Sequence, residues 1–261
     1  MTAENVATML PLAGGASMPA LGFGTWQLTG TEAYDAVRSA LEVGYRHLDT
    51  ATVYKNEEQV GRAVRDSGIA RDELFITTKL PPDEGVDAPA TIATSLQALG
   101  TNYVDLWLIH WPPPGAASVT AWRSLLAAKE RGQTRDVGVS NYSPAQIDEL
   151  ISETGVAPAV NQIPWSPFKY DAAVAAHSAE RGVLLEGYSP FKLSKLDHPV
   201  LREIADAHQV TPTQVILRWH IEHGVVVIPK SAKPERIAGN YAIWDFTLDA
   251  DEMTRIDALA E

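Results

Sequence analysis

Four side chains stand out because their types can transfer a proton to a carbonyl oxygen. Asp49 and Tyr54 lie in "HLDTATVYKNEEQVG" (47–61), Lys79 follows "LFITT" (74–78), and His110 follows "VDLWLI" (104–109). A free phenol titrates near 10, too high for ready proton exchange at neutral pH. An ammonium nearby favours the phenolate and is expected to lower that value. A buried Lys79 needs a counter-charge, which Asp49 can supply, and His110 can orient a carbonyl oxygen or share the proton. Together they make Tyr54 a general acid for a developing alkoxide. Singly, each has a plainer reading: Asp49 caps a turn, Lys79 is a solvated strand end, His110 is a core histidine. The case rests on their occurring together at successive strand ends.

The elements that would position them alternate along the chain. Strand-like runs are "ALGFG" (20–24), "YRHL" (45–48), "LFITT" (74–78), "VDLWLI" (104–109), "DVGV" (136–139), "AVNQ" (159–162), "VLLEG" (183–187) and "VVVI" (225–228). Most are continuously apolar, as strands covered on both faces of a parallel sheet are. Helices between them begin with capping-box signatures at Thr29/Glu32, Asn56/Gln59, Ser143/Gln146 and Thr211/Gln214, with Pro144 and Pro212 at first helical positions. Tyr34, Val37 and Leu41 mark an apolar stripe on the first helix. Eight strands each followed by a helix predict a single α/β unit over 1–261, a (β/α)8 TIM barrel, with "TMLPLAGGASMPAL" (8–21) as an N-terminal β-hairpin closing its floor. A doubly wound sheet is the alternative architecture.

At barrel strand ends, where active sites gather, stand Thr25 and Trp26, Asp49 with Tyr54, Lys79, His110 and Trp111, Ser140 and Asn141, Gln162, Tyr188, and Lys230 with Ser231. Lys230 and Arg236 bring two cations to the eighth strand end of a chain whose net charge is -12, a setting suited to a phosphate monoester. That overall charge argues against nucleic acid and anionic membranes as partners. No cysteine is present, so thiol chemistry is excluded and no metal site is expected. The start "MTAENVATMLPLAGG" lacks the basic and apolar pattern of a secretory leader, and a cytoplasmic protein is expected.

The motifs "LGFGTW" (21–26), "GYRHLDTATVYKNEEQVG" (44–61), "LFITTKL" (74–80), "YVDLWLIHWP" (103–112), "VGVSNY" (137–142), "VNQI" (160–163), "GYSP" (187–190) and "VIPKSAKPERIAGN" (227–240) resemble, in order, those of the aldo-keto reductases, in particular the compact bacterial branch containing the diketogluconate reductases. The resemblance implies a barrel that binds NADPH/NADP+ without a Rossmann unit, and no G-x-G-x-x-G is present. It makes Asp49, Tyr54, Lys79 and His110 a catalytic tetrad. Tyr188 becomes the face on which nicotinamide stacks, and Ser140, Asn141 and Gln162 its carboxamide partners. Ser189 and Phe191 fall where the pyrophosphate is contacted. Lys230, Ser231, Arg236 and Asn240 fall at the adenosine end, and Thr25, Trp26 and Asp49 also border the cofactor. Trp26, Val53 and Trp111, with Tyr54 and His110, become the substrate wall. A monomer acting on small carbonyl compounds is implied.

Five departures from the family pattern stand out. The short "PPPGAASVT" loop (112–120) and an end directly after "DADEMTRIDALA" predict an open site of broad selectivity. Gly239 replaces a glutamate found near the adenine in many members. Lys55 follows Tyr54 where glycine is usual, and is expected to keep ordinary φ and point to solvent. "IPWSPF" (163–168) has no assigned role. Outside the reductase reading stand a Schiff-base aldolase using Lys79, a cofactor-binding regulatory barrel without turnover, and a non-catalytic scaffold.

Overall fold

A computed structural model describes residues 8–83 and 85–260. Residues 1–7, on which the expectation of no secretory leader partly falls, lie outside them, as do Glu84 and Glu261. The first half of the chain runs β1 (Met9–Pro11), β2 (Ser17–Pro19), β3 (Phe23–Gly24), α1 (Gly30–Val43), β4 (His47–Asp49), α2 (Glu57–Ser67), β5 (Phe75–Leu80), α3 (Ala88–Leu99), β6 (Val104–Ile109) and α4 (Ala117–Glu130). The second half runs β7 (Thr134–Ser140), α5 (Pro144–Thr154), β8 (Val160–Pro164), α6 (Ala172–Glu180), β9 (Leu184–Tyr188), α7 (Pro199–His208), α8 (Pro212–Glu222), β10 (Val226–Ile228), α9 (Pro234–Tyr241) and α10 (Ala250–Asp257).

β3 to β10 pair in sequence order, all parallel. The ring is closed by a bridge between Leu21 and Val227, with Gly22 N donating to Val227 O, Val227 N to Ala20 O and Gly24 N to Pro229 O. A closed ring excludes the doubly wound alternative. The first strand is therefore shorter as a ladder than "ALGFG" suggests, because residues 20–22 only bridge.

β1 and β2 form the expected antiparallel hairpin. Its Leu12 and Met18 join Phe75, Leu106, Leu108, Val160 and Val226 in one buried apolar cluster. These barrel residues alternate along their strands, which puts them on the inner face, and the hairpin seals the end at which the strands begin. The larger cluster lies outside the sheet, where α1 to α5 bury Val37, Leu41, Val60, Ile92, Trp122 and Ile147. Val37 and Leu41 of the α1 stripe are buried, while Tyr34 is half-buried and donates its hydroxyl to Asp66 Oδ2. The plan of one helix per strand is extended. α7 and α10 pack over α8 around Leu201, Ile204, Trp219 and Ile256, a second core on one flank.

Two capping boxes form as predicted, at Ser143/Gln146 and Thr211/Gln214, each followed by proline. Thr29 and Asn56 do occupy N-cap positions, but neither side chain caps its helix. Asn56 is used elsewhere. Its Nδ2 donates to Thr25 O and Leu28 O, both at 2.9 Å, and its Oδ1 accepts from Thr50 Oγ1 at 2.7 Å. That amide ties the loop after β3 to the loop after β4.

Candidate active site

Above the apolar floor the barrel interior turns polar. Lys79, next to last in β5, is fully buried, and its ammonium donates to Asp49 Oδ1 and Oδ2 at 2.7 Å and to Thr50 O at 2.9 Å. Burial alone would disfavour its charge. Asp49, Tyr54 and Glu186 outweigh that and hold Lys79 above its ordinary value. Lys79 Nζ also lies 5.2 Å from the centroid of the Tyr54 ring, which meets the His110 ring edge-on at 5.6 Å. The four predicted residues thus converge.

Desolvation decides the protonation of Tyr54 and His110. Burial pushes Tyr54 up by more than the Lys79 ammonium pulls it down, so the expected net lowering is reversed. The phenol keeps its proton at neutral pH. Burial, with Lys79 adding to it, pushes His110 down to about 3, leaving a neutral imidazole.

Tyr54 ends a single 3-10 turn, Thr52–Tyr54, whose C-cap is Lys55 at φ 56 and ψ 33. The expectation of ordinary φ at Lys55 is wrong: the lysine adopts the left-handed conformation that glycine reaches without a Cβ penalty. Its side chain is exposed, as expected.

A cavity of about 730 Å³ opens over these groups, bordered by Trp26, Val53, Trp111, Tyr188, Phe191 and Lys192 among others. Trp26, Val53 and Trp111 are 43%, 47% and 49% exposed, so the expected substrate wall is a ring of apolar side chains facing solvent. Tyr188 donates its hydroxyl to Asn141 Oδ1 at 2.8 Å, fixing the ring at the cavity edge. Asn141 (φ 64) donates to His110 O and Ser140 Oγ, while Ser140 Oγ donates to Gln162 O. Ser189 takes φ 54, turning the chain away from the end of β9. Gln162 lines the cavity and hydrogen-bonds inward to Asp49 Oδ2.

Thr25 does not reach the cavity. It is fully buried, and its hydroxyl donates to Asp49 O, a bond that sets where β4 ends. Lys230 does line the cavity. Arg236 and Lys230 are exposed and, among the described residues, have no ion pair. Ser231 Oγ accepts from Lys233 N, Asn240 is buried, and α9 starts without a side-chain cap. Two unpaired cations at an uncapped helix start fit the phosphate of a dinucleotide. A side chain at Gly239 would meet nothing within 4 Å, so the missing glutamate leaves open space there.

The unassigned "IPWSPF" gains a role. Trp165 is buried in the flanking core, Pro164 borders the cavity, and Ser166 Oγ donates to Leu193 O, bracing the loop after β9. The sequence reading missed Glu186 and His47, both fully buried inside the barrel. The signal was a charged residue inside the apolar run "VLLEG" and a histidine inside "YRHL".

The chain is a closed parallel barrel with a buried ion pair beside a phenol and an imidazole at its open end. The chain belongs to the Aldo/keto reductase family, whose sequence model matches residues 20–261. It is 43% identical over 256 residues to methylglyoxal reductase DkgA of Salmonella typhimurium, covering 97% of this chain and 93% of that protein. The structure of an aldo/keto reductase from Brucella melitensis superposes with a TM-score of 0.96 at 42% identity, over 99% of this chain and 100% of that one. The Bombyx mori aldo-keto reductase in complex with NADP superposes at 0.92 and 33% identity, over 97% and 93%.

Proposed function

We propose that the protein is an NADPH-dependent reductase of small aldehydes and ketones, reversible toward alcohol oxidation, with Tyr54 as the general acid/base. The observation that carries this reading is the contact of the Tyr54 ring with both the Lys79 ammonium and the His110 imidazole, with Lys79 clamped by Asp49.

NADPH, when bound, supplies a hydride to the carbonyl carbon. Tyr54 gives its proton to the carbonyl oxygen as charge develops there, and His110, held neutral, orients that oxygen by a hydrogen bond. Lys79 stabilises the phenolate left behind, and Asp49 keeps the ammonium charged and in place. Tyr188 offers the stacking face and Asn141, Ser140 and Gln162 the edge of the nicotinamide site. Ser189 and Phe191 would contact the pyrophosphate. Lys230, Ser231, Arg236 and Asn240 would hold the adenosine 2′-phosphate end, which would favour NADPH over NADH. Trp26, Val53 and Trp111 form an open apolar rim, which supports broad and weak substrate selectivity. Residues 1–261 act as one cytoplasmic, monomeric unit in this reading, and no helix among the described residues is long and apolar enough to cross a membrane.

The Schiff-base alternative loses its chemistry, because Lys79 is buried, charged and triply hydrogen-bonded rather than a free amine. The deciding experiment follows NADPH oxidation against a carbonyl panel headed by methylglyoxal, the substrate named for the relatives. Turnover by the wild type and its loss in Tyr54→Phe support the reading, whereas full activity of Tyr54→Phe would end it.

A further inference from the structure

β9 hides a carboxyl group. Glu186 stands in the middle of a buried strand with no solvent to reach. Its register partner on β8 is Gln162. Gln162 Nε2 donates to Glu186 Oε2 and to Asp49 Oδ2, each at 2.8 Å. Asp49 is ion-paired with Lys79 and can only accept, so the Gln162 atom that faces it must be the nitrogen. Both amide hydrogens are then used inside the barrel. The atom that Gln162 offers to the cavity is its oxygen.

The other side of Glu186 explains how a second acid is tolerated beside Asp49. Glu186 Oε1 makes no hydrogen bond and lies 3.6 Å from His47 Nε2. His47 is packed under Gly22, where an added Cβ would stand 2.3 Å from its ring, and its Nε2 is 3.3 Å from Thr77 Oγ1. Burial, helped by Lys79, pushes His47 down to about 3, while burial, helped by the Asp49 charge, pushes Glu186 up to about 8. The barrel centre therefore holds one compensated ion pair with a neutral acid next to it. An apolar residue would be easier to bury at this position, and polar groups kept in such places can serve to specify one arrangement.

We propose that Glu186 is a positioning residue: by accepting the second amide hydrogen of Gln162 it locks that amide with Oε1 toward the cavity, as a standing acceptor for the carboxamide NH2 of the nicotinamide. The proposal deepens the cofactor reading given above and rests on it. Without Glu186 only Asp49 would hold the amide, which could then turn, and binding would have to pay for ordering it.

The test compares NADP+ with its 3-acetylpyridine analogue, in which a methyl replaces the amide NH2, by quenching of tryptophan fluorescence. The wild type is expected to prefer NADP+ by about 3- to 10-fold, the range of one hydrogen bond. In Glu186→Leu the preference should fall to within about two-fold of parity, by weaker binding of NADP+ alone. Glu186→Gln keeps a carbonyl acceptor and should keep the preference. If the leucine variant does not accumulate folded, Glu186→Ala reads the same ratio with less steric demand. A general loosening of the barrel would weaken both nucleotides alike, and an unchanged ratio in the leucine or alanine variant overturns the proposal. Loss of the ratio in Glu186→Gln overturns it too, as does a wild type that binds both nucleotides equally. A wild type that binds neither brings down the cofactor reading and this inference with it.

Discussion

Lys79 Nζ lies 2.7 Å from both carboxylate oxygens of Asp49, and neither group has meaningful access to water. Removing one member of such a pair leaves an uncompensated charge, at a cost of about 3–5 kcal/mol. Lys79→Met and Asp49→Asn are each expected to lower stability by that order in urea unfolding. The double variant should recover much of the loss, since no lone charge remains, yet stay inactive. A double variant as unstable as the sum of the singles would show that the two do not act as a pair.

The proton inventory of the site sets a pH profile. His110 is neutral down to about 3, so no imidazole titration should appear in kcat/KM for reduction between pH 5 and 8. Tyr54 is raised above the ordinary phenol value, so the acid form persists through neutrality and the rate should fall only on the alkaline side. Steady-state rates from pH 5 to 10 test this, and an inflection near 6.5 would contradict it. Tyr54→Phe should reduce turnover by roughly 10²–10⁴-fold while tryptophan quenching by NADPH persists.

Lys230 and Arg236 are exposed cations beside the uncapped start of α9. Lys230→Ala and Arg236→Ala should each weaken NADPH by about 1.5–3 kcal/mol, the range for charge-assisted hydrogen bonds, and leave NADH nearly unchanged. Binding constants for both nucleotides at fixed salt decide it. Equal losses would remove the 2′-phosphate from this end of the site.

Lys55 adopts φ 56, a region where a Cβ is costly by roughly 1–2 kcal/mol. Lys55→Gly removes that strain but gains unfolded-state entropy, so stability should rise by no more than about 1 kcal/mol. Lys55→Val should lower it by more. Thermal unfolding with activity as a control measures both, and a more stable valine variant would refute the conformational assignment.

Stability should bend with pH in opposite senses. His47, His110 and His220 are held by burial at about 3, 3 and 4, against an ordinary 6.5. The unfolded chain takes up these protons first, so stability is full above about 6.5 and is lost toward 3–4. Each histidine contributes a slope of up to ~1.4 kcal/mol per pH unit. Glu186 works the other way. Its folded value of about 8 means that the unfolded chain sheds the proton first, so stability declines between about 4.5 and 8. Urea midpoints across pH 4.5 to 8 should show Glu186→Gln flatter than wild type from 6.5 to 8 and steeper below 6.5. Parallel curves would contradict the buried neutral acid.

β5 and β6 are close to their apolar runs because a strand covered on both faces announces itself whatever the register. The convergence of Asp49, Tyr54, Lys79 and His110 was legible for a related reason: each sits where an apolar run stops or in the loop just after it. Thr25 shows the limit. β3 is two residues long, and a ladder that short does not say which side chain turns inward. Asn56 and Thr29 look like caps in sequence, but a tertiary demand on the Asn56 amide overrides the local one. Glu186 showed as a charge inside an apolar run, but its role was not legible because it lies in Gln162, its neighbour across the sheet and 24 residues away. α7 and α10 bury their apolar faces on α8 rather than on strands, which their periodicity does not reveal.

The Asn56 amide has a mechanical consequence. By holding Thr25 O, Leu28 O and Thr50 together it makes the loops carrying Trp26 and Tyr54 a single rigid jaw. The facing jaw is the segment after β9, which rests on Trp26 through Lys192, 5.6 Å from the indole, and is tethered through Leu193 to Ser166. Adaptation to new substrates is then a one-sided matter. Substitutions around Phe191 to Ser194 and at Ser166 can reshape the opening without moving Tyr54, whereas any change that loosens Asn56 shifts Trp26 and Tyr54 at once.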